Sequence, residues 1–169
     1  ALMPQLLALF DRDGAMTAAF GLKLHDDDGM MARYLGQPAR RMLPAPVTPA
    51  IPLLEMGNLA GERPGAVRAL VRAMAPALAT PGCEWLLCTA TRELRNGLSH
   101  AGTVWQPLAA ARIDALPLPE RARWGRYFDH DPQVVAIDVR ASCERLDIVC
   151  GMAEPGALQA LTQAIGGVA

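Results

Sequence analysis

The stretch IPLLEMGNLAGERPGAVRALVR, Ile51–Arg72, constrains this chain most. Pro52, Leu53, Leu54 and Met56 form a short apolar run with proline before it and glycine after it. That pattern predicts a strand over Pro52–Met56, with Glu55 as its one carboxylate. Val67, Leu70, Val71, Met74 and Leu78 then recur at helical spacing, with Arg68 and Arg72 on the opposite face. In the loop between, Gly61 and Gly65 permit close backbone approach and Pro64 suits a first helical position. The helix that follows offers unpaired N–H groups and a positive dipole end to an anion, so the loop reads as a phosphate-sized nest beside a carboxylate.

A chain of 169 residues, 51% hydrophobic and 20% charged, has the apolar material for one core and the length of one domain. Its net charge of −1 gives no electrostatic footprint for nucleic acid or an anionic membrane. Lys23 is the only lysine among many arginines, which reads as a genomic, bacterial composition bias. Cys83, Cys88, Cys143 and Cys150 lack the paired spacing of a zinc or redox motif, so no metal is expected and buried thiols are. No signal peptide or run of 18 apolar residues is present, which predicts a cytoplasmic protein. The abrupt opening on Leu2-Met3-Pro4 predicts that an N-terminal segment is missing from the chain.

Taken in order, Gln5–Phe10 and Ala15–Leu24 predict an antiparallel hairpin around Asp11-Arg12-Asp13-Gly14. His25 followed by Asp26, Asp27 and Asp28 reads as a solvated turn with a surface histidine, since the spaced ligands of a calcium loop are missing. Met30–Leu35 and Gln37–Leu43 suit short helices, and Leu43–Pro52, with four prolines, an extended loop beside a cleft. The helix begun after Pro64 ends near Pro76, Pro81 and Gly82. Cys83–Ala90 is apolar enough for a central strand, and Thr91–Ala101 reads as a helix with Leu94 and Leu98 inward, Arg92 and Arg95 outward and Gly102 as its cap. A parallel crossover between the two strands is the default. Trp105–Ala111 is a weak strand or a turn, Leu118–Phe128 a short surface helix interrupted by Gly125, and Gln133–Val139 a clear strand. Arg145–Cys150 is a short apolar piece, and Pro155–Ile165 a helical tail.

Five stretches stand out together, in this order and spacing: LMPQLLALFDRDG, RYLGQPARRML, LLEMGNLAG, WLLCTATRELRNGL and WGRYFDHDPQVVA. They resemble the thermostable hemolysin family, which is similar in fold to the GNAT acyltransferases and the acyl-homoserine lactone synthases. The resemblance covers most of the chain. It implies a single GNAT-like α/β (α+β) domain over residues 1–169: a mixed, mostly antiparallel sheet with a V-shaped splay, flanked by helices. It also implies that Pro52–Met56 lies beside the acyl carrier, that Gly61–Gly65 is the pyrophosphate loop and that Cys83–Ala90 splays away. Met56, Gly57, Leu59, Gly61, Arg63, Gly65 and Ala66 would then bind the carrier. Arg63-Pro64-Gly65-Ala66 is compressed relative to the GNAT loop pattern, which leaves an acyl carrier protein open as donor beside CoA.

An amine attacking a thioester must shed a proton, so Glu55 is the candidate general base; the bland alternative is an ion pair with Arg92 or Arg95. Asn58 either orients a reacting group through its amide or caps a turn at Gly57. Thr89, Thr91, Arg92 and Asn96 gather at a strand end and helix start, where open α/β sheets place ligands, and Arg92 can clamp a carboxylate or phosphate. Equally, Thr91 caps the helix and the arginines are solvated. Trp124 and Tyr127, with Phe128, line a substrate pocket or anchor the core. Cys88 is packing rather than nucleophile, and His100 and His130 are surface alternatives to Glu55.

The expected function is N-acyl transfer from a CoA or acyl-carrier-protein thioester, a co-substrate rather than a resident cofactor, to a small amino acid-like amine. The alternatives are a membrane-active hemolysin without catalysis and a noncatalytic subunit that binds an acyl carrier. A homodimer is left open.

Overall fold

A computed structural model describes residues 3–44, 53–61, 65, 68–69, 71 and 83–146. Six strands make one sheet in the order β1-β2-β3-β4-β6-β5: β1 Gln5–Phe10, β2 Met16–Leu24, β3 Leu54–Gly61, β4 Trp85–Ala90, β5 Val104–Ala110 and β6 Gln133–Asp138. All neighbours are antiparallel except β3 and β4, which run parallel. Among the described residues, helices with both ends defined are α1 Met30–Leu35, α2 Arg92–His100, α3 Leu118–Arg121 and α4 Val139–Arg145.

The β1–β2 hairpin turns where expected because its first residue satisfies the turn. The Asp11 carboxylate accepts from the N–H groups of Asp13 and Ala15 at 3.0 and 2.9 Å, and Gly14 supplies the positive φ of 80°. Alternation along the central strands then builds two cores. Leu86, Cys88 and Ala90 of β4 and Val135 and Ile137 of β6 join Leu98 of α2 and Val139 and Cys143 of α4 on one face. On the other face Trp85, Leu87, Val134 and Ala136 meet Met31, Tyr34 and Leu35 of α1. Each fully buried leucine among them contributes about 2 kcal/mol through burial.

The structure corrects several expected boundaries. β3 does not stop at Met56 but continues to Gly61, so Gly57 and Gly61 belong to a strand and not to a loop. A register shift between Ala19 and Gly21 accommodates an extra β3 residue, Asn58, whose φ is +51°. Residues 139–145, where no helix was expected, form α4, capped by the Asp138 carboxylate accepting from Ala141 N–H at 2.8 Å. Arg95, expected on the solvent face of α2, is buried. Pro52, the proline loop over 45–52, most of the helix after Pro64, the apolar piece beyond Leu146 and the tail at 155–165 lie outside the described residues.

Thr91 caps α2 by accepting from Leu94 N–H at 3.3 Å, and Gly102 takes the left-handed conformation just past its end. Thr91→Ala removes that acceptor and should cost about 1 kcal/mol in urea unfolding. An unmoved unfolding midpoint would show that the cap is idle.

Candidate functional site

Pairing between the parallel strands is short. It runs through Leu54–Leu86, Glu55–Leu87 and Met56–Cys88 and stops there, although β3 continues to Gly61 and β4 to Ala90. Beyond Met56, β3 remains paired with β2, and beyond Cys88, β4 remains paired with β6. The two strands therefore part in a V, as the sequence led one to expect. Their facing edges carry backbone donors and acceptors into the gap.

A cavity of about 790 Å³ fills this opening. Most of the sequence-derived candidates meet there: Glu55, Met56, Gly57, Asn58, Leu59 and Gly61 from β3, Thr89 and Thr91 from β4 and the start of α2, and Trp124 and Tyr127 from the segment before β6. Met3, Lys23, Met30, Met31, Cys88 and Leu94 complete much of the wall. The three aromatic rings form one cluster, with Trp124 at 5.1 Å from Tyr127 and 6.0 Å from Phe128. Trp124 and Tyr127 line the cavity, and Trp124 and Phe128 also pack against the core on the α1 face.

Other candidates stand apart. Arg92 and Asn96 are exposed and line no part of the cavity, and Arg92 reaches the Asp131 carboxylate at 3.8 Å. Gly65 is exposed with φ of 91°, and its carbonyl accepts from Ala69 N–H at 3.0 Å, as at a helix start. Arg63 and Ala66 lie outside the described residues. Asn58 caps no turn: its side-chain oxygen accepts from the Met3 backbone N–H at 2.9 Å. Met3 also lies over Gly21 and Gly57, where an added Cβ would meet its side chain at 2.6 and 2.5 Å.

Neither expected arginine pairs with Glu55. Its side chain is 4% exposed, and Oε2 lies 3.1 Å from Lys23 Nζ while Oε1 lies 2.6 Å from His25 Nδ1. Lys23 and Glu55 are register partners on β2 and β3, so both side chains emerge on the α1 face. His25 is the residue that sequence reasoning missed. Three aspartates after it suggested a solvated turn, yet its side chain is only 4% exposed. The signal that could have found it is position: it sits just past the end of the strand carrying Lys23, and its N–H donates to the Leu53 carbonyl at 2.7 Å.

On the β4 side, Tyr127 O–H points at the Thr89 carbonyl at 3.4 Å, and burial raises its pKa, so the hydroxyl stays a proton donor. Burial also pushes the Cys83 and Cys88 thiols up to about 12. Cys88 is thereby a wall and not a nucleophile. At pH 9 both thiols should resist iodoacetamide in the folded protein and react when urea unfolds it; rapid labelling of native Cys88 would contradict its burial.

The description of the thermostable hemolysin family matches residues 1–143. The chain belongs to that family. Among curated protein sequences none matches it. Two solved structures of TofI share its fold at 13% identity. The apo form has a TM-score of 0.51 and covers 85% of this chain and 73% of its own. TofI in a ternary complex with an inhibitor and MTA has a TM-score of 0.50 and covers 85% and 69%. The likeness to TofI is one of fold, and it agrees with the mixed, mostly antiparallel sheet expected for this chain. Among the described residues no helix is long and apolar enough to cross a membrane, and no group of three or more His, Cys, Asp or Glu side chains is placed to hold a metal ion.

Proposed function

We propose that the chain is an N-acyltransferase that moves an acyl group from a CoA or acyl-carrier-protein thioester to the amine of a small, amino acid-like acceptor. The observation that carries this reading is the parting of β3 and β4 just past Glu55, with a cavity between them. Such a gap lets an extended thioester arm lie against free strand-edge groups, whose N–H donors can stabilise charge developing on the thioester carbonyl. Glu55 takes the proton from the acceptor amine, which then attacks the carbonyl directly. The thiol leaves with a proton, for which the Tyr127 hydroxyl, in the cavity wall beside the Thr89 carbonyl, is the candidate donor. Apolar Met30, Met31, Leu94 and Trp124 suit the acyl chain.

The test is to incubate the purified protein with panels of acyl-CoA and acyl-carrier-protein donors plus amino acids, and to identify products by mass spectrometry. An N-acyl amine supports the proposal. The family's name favours a second, membrane-active reading, to which the exposed Leu6, Phe10 and Met16 on the β1–β2 hairpin would contribute. Absence of product from every donor, together with lysis of red cells by the pure protein, would favour that reading.

A further inference from the structure

Behind Glu55 a chain of hydrogen-bonded groups leads from the cavity to the surface. Glu55 Oε1 lies 2.6 Å from His25 Nδ1, and His25 Nε2 lies 3.2 Å from Asp27 Oδ1. Glu55 lines the cavity, His25 does not, and the Asp27 side chain is 61% exposed. The imidazole is thus a buried link between an inner and an outer carboxylate. Ionised carboxylates only accept hydrogen bonds, so both contacts form together when both ring nitrogens carry a proton.

Lys23 holds the other oxygen of Glu55 at 3.1 Å. Asp26, the next acid in the turn, accepts from Asp28 N–H at 2.9 Å. With Glu55 and Asp27 ionised and Lys23 and a doubly protonated His25 cationic, the four side chains balance. The backbone fixes the arrangement, since the His25 N–H is tied to the Leu53 carbonyl beside β3.

We propose that His25 is a positioning residue. It holds the Glu55 carboxylate in place on the cavity wall, and Asp27 in turn holds the ring. This rests on the reading of Glu55 as the base. The geometry also separates the roles of the two Glu55 partners: Lys23, itself on the cavity wall and one-quarter exposed, meets the oxygen that His25 does not.

His25→Gln keeps a neutral donor but loses the charge. It should lower kcat about tenfold or more while leaving KM nearly unchanged, and move the acidic limb of the kcat profile to higher pH. Asp27→Asn should move it the same way by less. Ring-nitrogen NMR of the wild type and Glu55→Gln supplies a readout independent of turnover. Loss of the carboxylate against Nδ1 should shift the His25 ring-nitrogen resonances. His25 resonances unmoved by Glu55→Gln, or a His25→Gln enzyme with wild-type kcat and pH profile, would overturn the proposal. A protein that transfers no acyl group but shows the shifted His25 resonances would instead count against the acyltransferase reading while retaining the Glu55–His25 link.

Discussion

Glu55→Gln should lower the rate of acyl transfer by about 10²-fold or more, with the binding of both substrates largely kept. The two side chains have the same shape, so the cavity wall is preserved while the proton acceptor is lost. The amide oxygen can still accept from Lys23, and Lys23, one-quarter exposed, retains access to water. The fold should therefore survive, and far-UV circular dichroism and the urea midpoint serve as controls. A split in which kcat falls and KM holds is the mark of a group needed in the transition state and not for binding. Wild-type turnover by this variant would remove Glu55 from the chemistry.

The second large effect is structural and lies at Arg95. Its guanidinium is 10% exposed and donates to the Ala90 carbonyl at 3.0 Å, the Asp131 carbonyl at 2.6 Å and the Asp131 carboxylate at 2.7 Å. These bonds tie the end of β4 to the segment that carries Trp124, Tyr127 and Phe128. Arg95→Met keeps much of the apolar stem and strands a buried carbonyl at Ala90. Asp131, nearly half exposed, is largely rescued by water, so the ion pair itself is a small part of the loss. The expected cost is about 2–3 kcal/mol, mostly from buried hydrogen bonds left unmade. Arg95→Lys should recover only part of it, because one ammonium cannot reproduce the planar fork. Unfolding in urea measures both, and a variant as stable as the wild type would contradict this account of the loop's anchor. Since Tyr127 lines the cavity, KM should also rise in Arg95→Met.

What was legible in the sequence followed physical pattern. The apolar runs of β4 and β6 could be read because strands buried on two faces need little else. The parallel pairing of β3 with β4 followed from the helix expected between them, and most of the cavity wall followed from the segments that resemble the hemolysin family. The misreadings have common causes. Gly57 and Gly61 looked like breaks, yet Gly57 lies under Met3, where a side chain would collide. Val139 looked like the end of a β-branched run, and the Asp138 cap that starts α4 there was overlooked. Arg95 was placed outward by helical spacing alone, because its partner Asp131 lies 36 residues away in sequence. The pairing of Glu55 with Lys23 and His25 requires the β2–β3 register, and no local pattern encodes that register.

The central claim is that the opening between β3 and β4 is a site of acyl transfer served by Glu55. The most direct measurement compares the wild type with Glu55→Gln on the same thioester and amine, following free thiol and N-acyl product together by mass spectrometry. The account predicts equal amounts of thiol and N-acyl product from the wild type, both dependent on the amine and both largely lost in the variant. Thiol release without N-acyl product, or equal product from the two proteins, would contradict it.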